Sequence, residues 1–288
     1  MRDLSQDKVW SYSDETPNGG WGKCQVRKHA GTLVNSYKDL AVKVASIQFH
    51  NPNLVLFFRG QEADFRIDNS PQKNSTIRPS IFRRDESYGI DNWNAEIRRR
   101  YQELAQAETR LVEFWKKEVR DDPAGLRRLE RSSVIRWAIL QHYEVCDTPL
   151  LDVTLSLRIS ASFASLNNAS GEAFVMVLAA PQISGAVSAC AHNEMQILRL
   201  SSHCPPSAIR PHIQEGYLLG EYPELRTFEE KTNLALHETD FGQRLIAKFR
   251  FNPATFWNDP DFPLFSPEAL SLSEGDDGDK LRLLAKRG

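Results

Sequence analysis

The sequence predicts an α+β fold: a single domain with a mixed central sheet flanked by helices, behind an N-terminal helical preface. Three observations predict it. Residues 54–58 (LVLFF) and 173–180 (AFVMVLAA) are short apolar runs without polar alternation, as in strands buried on both faces. Residues 93–119 carry one long apolar helical stripe of Ile97, Tyr101, Leu104, Leu111 and Trp115. The second half of the chain is richer in strand signals than the first.

Taken in order, residues 1–36 read as a polar N-terminal extension, with Pro17-Asn18-Gly19-Gly20 marking a tight reversal. Residues 37–49 place Leu40, Val42, Val44, Ala45 and Ile47 at helical spacing, and Pro52 breaks the pattern before the strand at 54–58. Residues 67–75 read as a polar loop, and 78–83 as extended or turn-like because of Pro79. The helix at 93–119 should pack on the 54–58 strand and stop at the Asp-Asp-Pro-Ala-Gly run of 121–125. Its mixed Arg/Lys and Glu charges describe a solvated face, since a phosphate backbone requires one-sided basic charge.

A second helix is expected over 134–143, capped by Ser132 or Ser133. Residues 150–154 form a short strand or turn, and 156–163 a helix with Thr154 or Ser156 at its start. Further strands are expected at 173–178, 195–200, 217–219 and 245–249, with helical pieces near 225–236 and 253–257. The tail 271–288, acidic and then basic, is expected to fray. No repeat or interdomain linker is visible.

Composition narrows the classes. The 288 residues carry a net charge of -2, so no global basic field draws in nucleic acid, which stays open as a target through a local patch. Four cysteines, Cys24, Cys146, Cys190 and Cys204, are scattered as in a reducing compartment. The start lacks the apolar stretch of a signal peptide, and no run is long enough for a bilayer span. A cytoplasmic protein with no membrane association is the expectation.

Several segments, in order, resemble the FRG-domain family. They are Phe58-Arg59-Gly60-Gln61; Arg78-Pro79-Ser80-Ile81-Phe82-Arg83; Gln141-His142-Tyr143; Thr148-Pro149-Leu150-Leu151-Asp152-Val153-Thr154; Ala161-Ser162-Phe163-Ala164; and residues 210–216 (RPHIQEG). Residues 262–265 (FPLF) also fit. The resemblance runs over about 37–270, which we take as the FRG-like domain, with 271–288 a flexible tail. Glu144-Val145-Cys146-Asp147 departs from the glycine turn usual after QHY, and Pro149 stands where arginine is common. The resemblance implies an α+β module of bacterial and phage-borne proteins associated with defence or toxicity. A weaker resemblance links the order of Arg59, Thr154 or Ser156, and Gln214 or Glu215 to arginine-type ADP-ribosyltransferases. It implies NAD as cofactor, Arg59 on its phosphates, Thr154 bracing the site, and Gln214 or Glu215 on the nicotinamide ribose. The usual Ser-Thr-Ser and Glu-x-Glu strings are missing.

Each candidate residue also has a plain structural role. Arg59 ends an apolar strand, and its planar fork suits phosphate, with Gly60 letting a ligand approach the backbone and Gln61 beside it. It equally suits a structural pair with Asp152. His142 is a general base, or a cation at a helix C-terminus, or a core histidine. Asp152 and Thr154 are ligand contacts or helix caps. Gln214 and Glu215 enter a strand where one faces a ligand, or both form a polar edge. Cys190, His192, His203 and Cys204 cluster in sequence, but adjacent His203 and Cys204 cannot easily share one tetrahedral ion, so no metal is expected. Cys146 as a nucleophile lacks a cation pattern to lower its pKa. No Walker loop, GxGxxG, GxSxG or HExxH occurs. The function classes are then a candidate ADP-ribosyltransferase-like enzyme, a nucleotide- or phospho-ligand-binding module, and an interaction protein of toxin–antitoxin type with a protein partner.

Overall fold

The computed structural model describes residues 1–5, 7–13, 16–67, 73–84, 92–119, 122–204, 209–232 and 238–270. The first part of the chain forms β1 (Lys8–Ser11), β2 (Gly20–Lys23), β3 (Thr32–Leu33), α1 (Tyr37–His50) and β4 (Val55–Gln61). A helical stretch follows, with α2 (Trp93–Glu118), α3 (Pro123–Arg131) and α4 (Ser133–His142). Then come β5 (Leu151–Thr154), α5 (Leu157–Ser165), β6 (Ala173–Ala180), β7 (Val187–Cys190) and β8 (Met195–Arg199). The last part holds α6 (Arg210–Ile213), β9 (Gly216–Glu221), α7 (Phe228–Thr232), β10 (Leu245–Phe251), α8 (Pro253–Phe256) and α9 (Pro267–Leu270).

Eight strands make one sheet in the order β3-β10-β6-β4-β5-β9-β8-β7, and β1–β2 form a separate antiparallel pair. The sheet is mixed, because β3 runs parallel to β10 while the other neighbours are antiparallel. Strand β4 is interior, with Leu56, Phe57 and Phe58 buried. Along β8 and β9, alternate residues serve two cores. Ile197, Tyr217 and Leu219 join the cluster built around β4, β6 and β10, and Leu198 and Leu218 join the cluster built by α2, α3 and α4. That split follows from the two-residue period of a strand.

The long charged helix does not cover β4. α2 packs on α3, α4 and α7, and β4 is covered by α5. The apolar stripe of α2 finds apolar partners on other helices, whereas α5 offers the small residues Ser160, Ala161 and Ala164 that fit closely against a strand. α2 ends at Glu118, ahead of the run expected to stop it, and the same run also starts α3. Asp122 caps it by accepting from the Gly125 amide at 2.7 Å, with Pro123 in the first turn. Residues 80–82 make a 3-10 turn after an extended Pro79.

Residues 1–36 contribute buried Val9, Trp10, Tyr12, Cys24, Val26 and Val34 to the sheet core, and β3 to the sheet itself. β1, β2, β3 and β7 had no counterpart in the sequence reading. They are short, and β2 and β7 alternate exposed positions with half-buried ones and have no buried residue. Parts of the loop expected at 67–75 and of the helical piece at 225–236 lie outside the described residues, as does the tail 271–288. No helix among the described residues is long and apolar enough to cross a membrane.

Candidate functional site

Asp152 marks the site. It lies on β5, an interior strand, between buried Leu151 and Val153, yet its side chain is exposed. An exposed residue there means that the helical layer leaves a gap above it. The gap is a cleft of about 410 Å³ lined by Ser80, Arg83, Glu103, Gln141, Glu144, Cys146, Asp147 and Asp152. Its size is that of a small-ligand site.

Arg59, on the neighbouring strand β4, is not one of the lining residues but touches the backbone of Asp152, which is. The β4–β5 ladder is confined to Phe58↔Thr154. Beyond that pair the guanidinium bridges the strands, Nη1 donating to the Asp152 carbonyl at 2.7 Å. Nε of Arg59 is buried and has no hydrogen-bond partner among the described residues. The structural pairing foreseen for Arg59 is therefore with the backbone of Asp152 and not with its carboxylate. Burial, with Arg83 nearby, pulls the Arg59 pKa down to about 10, against the opposing pull of Asp152, and the group remains a cation at neutral pH. Arg83 donates Nε to the Arg78 carbonyl at 3.2 Å and forms no salt bridge among the described residues.

The Asp152 carboxylate is held from α4. Gln141 Nε2 donates to Asp152 Oδ2 at 2.5 Å, and Gln141 Oε1 accepts from the Thr148 hydroxyl. The Thr148 amide donates to Ser80 Oγ at 3.0 Å. Four of the motif segments thus meet at one place through Arg59, Asp152, Gln141, Thr148, Ser80 and Arg83.

The other expected site residues are not drawn into this contact chain. His142 follows Gln141 on α4, about 100° further around the helix, and faces α6. Arg210 Nη2 donates to the His142 carbonyl and, at 3.2 Å, to Nδ1, while Nε2 is buried without a partner among the described residues. Since a guanidinium only donates, Nδ1 accepts and the proton resides on Nε2. Burial, then Arg210, push the imidazole down to about 3, so it is neutral and weakly basic. Thr154 donates Oγ1 to the Gln214 carbonyl at 2.6 Å and accepts from the Ser156 amide at 2.9 Å, which ties β5 to α5 and to the start of β9. Gln214 donates Nε2 to the Leu270 carbonyl at 2.9 Å and so anchors α9. Glu215 is exposed in a left-handed turn, φ 47°, that leads into β9.

Gly60 serves packing. A Cβ there would lie 1.9 Å from the Ser160 carbonyl oxygen and 2.8 Å from the Ala164 nitrogen, so it is α5 that needs the bare backbone. Gln61 has Oε1 buried without a partner among the described residues. Cys146 lines the cleft, but burial, then Glu103 and Asp147, push its thiol up to about 12, which rules out a thiolate nucleophile at neutral pH. No group of three or more His, Cys, Asp and Glu is placed for a metal among the described residues. The residues that sequence reasoning passed over are Gln141, Arg83, Ser80 and Thr148. All four stand inside the quoted motifs, but His142 drew the attention as the more familiar chemical group.

The fold and cleft define a class: an α+β domain whose central strand end is open to a polar pocket between helices. The family model for the FRG domain matches residues 55–173, from the start of β4 to the first residue of β6. The chain carries an FRG domain over this span, which supplies every lining residue of the cleft. No curated protein and no solved structure matches the chain.

Proposed function

We propose that the FRG domain binds a nucleotide or a related phosphorylated ligand in the cleft beside Asp152, with Arg59 and Arg83 as its anion anchor. The observation that carries this reading is the buried, unpartnered Nε of Arg59, with a second guanidinium as the neighbouring charge that lowers its pKa. An arginine with a free donor in a partly dry site binds phosphate oxygens strongly. The anion relieves the repulsion between the two guanidiniums.

NAD fits this site by half. The clamp half is supported by Arg59 and Arg83. On the ribose side the Gln214 amide is engaged by Leu270 and the Thr154 hydroxyl by Gln214, which leaves the exposed Glu215 as the candidate contact. Ligand binding is accordingly the primary reading, and ADP-ribosyl transfer in bacterial or phage defence is its extension. A toxin–antitoxin arrangement would add a protein partner that regulates access to the cleft.

The test is calorimetric titration of NAD and AMP into the wild type and Arg59→Lys, followed by mass spectrometry of protein and nucleic-acid targets for added ADP-ribose. Lysine keeps the charge and loses the fork, so affinity should fall about ten- to a hundredfold, equivalent to roughly 1.5–3 kcal/mol. Wild-type protein that is folded and binds neither compound would overturn the proposal. Binding without ADP-ribose on any target would retain the binding module and remove the transferase.

A further inference from the structure

We infer that Asp152, positioned by Gln141, selects ligands that present a sugar hydroxyl next to the anchored phosphate. The inference rests on the anion anchor proposed above and specifies the chemistry that follows it. Its basis is a directional hydrogen-bond relay. The Leu150 amide donates to Thr148 Oγ1 at 3.2 Å, so the hydroxyl proton of Thr148 is free to go to Gln141 Oε1. That contact sets which end of the Gln141 amide faces which way, and Nε2 must point at Asp152 Oδ2, 2.5 Å away. The carboxylate is left with one oxygen, Oδ1, whose lone pairs have no hydrogen-bond partner among the described residues, on a side chain that lines the cleft.

A carboxylate oxygen held in a fixed place takes a donor, and an ionised acceptor makes the stronger kind of hydrogen bond. The reach selects which donor. Arg59 touches the backbone of Asp152 itself, so the anchored anion and the carboxylate lie within about one residue of each other. In a nucleotide or a sugar phosphate, the sugar hydroxyls are the donors nearest the phosphate, and a base lies beyond the sugar. The rest of the lining agrees with a neutral, hydroxylated group. Glu103, Glu144 and Asp147 make that wall acidic, so a second phosphate there would be repelled.

The experiment is calorimetric titration with inorganic phosphate, ribose 5-phosphate, AMP and 2′,3′-dideoxy-AMP, using the wild type, Asp152→Ala and Gln141→Leu. The wild type should bind AMP at least about tenfold more tightly than the dideoxy compound, the loss expected for one hydrogen bond to a charged group. Asp152→Ala should bring the AMP-to-dideoxy ratio to about one without weakening inorganic phosphate, since the substitution removes a negative charge beside the anchor. Gln141→Leu should narrow the AMP-to-dideoxy ratio, a readout that a general loss of stability would not move. If ribose 5-phosphate tracks AMP, the ligand class is a sugar phosphate; if AMP alone shows the hydroxyl effect, it is a ribonucleotide. Equal wild-type affinity for AMP and dideoxy-AMP overturns the role of Asp152 and leaves the anion anchor standing. Failure of every phosphate compound to bind overturns both.

Discussion

Arg59 commits one N–H group to the Asp152 carbonyl and keeps its buried Nε unpaired, so one side chain joins two strands and offers a donor. Its neighbour Gly60 has a different duty, although the sequence presents the two as one motif. His142 is set apart by the rotation of a single helical position, which turns Gln141 to the cleft and His142 to Arg210. Its burial has a pH consequence. The folded-state value near 3 lies below the ordinary 6.5, so between those values the unfolded chain binds a proton that the folded chain refuses. Stability from this group is full above pH 6.5 and is lost as pH falls toward 3. His142→Asn, whose Oδ1 takes the place of Nδ1 as acceptor, removes that titration. Urea melts at several pH values should show the wild type losing up to about 1.4 kcal/mol per pH unit more than the variant in this window. Parallel losses in the two proteins would mean that His142 is not buried neutral.

At the level of elements, α5 lies so close to β4 that a single glycine decides the fit. Gly60→Ala would drive a methyl group into the backbone of Ser160 and Ala164, which cannot swing aside as a side-chain end does. The expected cost is about 3 kcal/mol or more, at the top of the range for overpacking, read as a lowered midpoint in denaturant melts. A melt unchanged from the wild type would show that α5 has room to shift.

The same scale shows what the sequence disclosed. The buried strands β4 and β6 and the helices α1, α2 and α4 were legible, because each is long or strongly periodic. The partner of β4 was not, because an apolar stripe on α2 says that it is buried without saying against what. The nearness of Arg59 to Asp152 was legible, because each stands in a motif segment and the two segments meet in the fold. His142, Thr154 and Gln214 lie outside that contact chain, because sequence shows a reactive type but not the partner that engages it, Arg210 for His142 and a backbone carbonyl for Thr154 and Gln214.

Across the whole molecule, the sheet is completed from both ends of the chain. β3 pairs with β10, and Trp10, Val26 and Val34 enter the same core as Phe57 and Phe249. A chain beginning at Tyr37 would lose these buried side chains, and one buried Trp replaced by Ala alone costs about 3–5 kcal/mol, comparable to much of a domain's stability of about 5–15 kcal/mol. The truncated chain should therefore fail to show a cooperative thermal transition by circular dichroism, where the full chain shows one. A sharp transition in the truncated chain would mean that the N-terminal segment is an appendage.

The two ends of the chain thus support a sheet whose central strand ends at an open cleft, and the account rests on what that cleft holds. The most direct measurement is a crystal structure of the full chain grown with AMP. Density for the phosphate within hydrogen-bonding distance of Arg59 Nε, beside Arg83 and with the sugar toward Asp152, is the result expected. AMP bound elsewhere on the molecule, with Arg59 still facing only the Asp152 carbonyl, would contradict it.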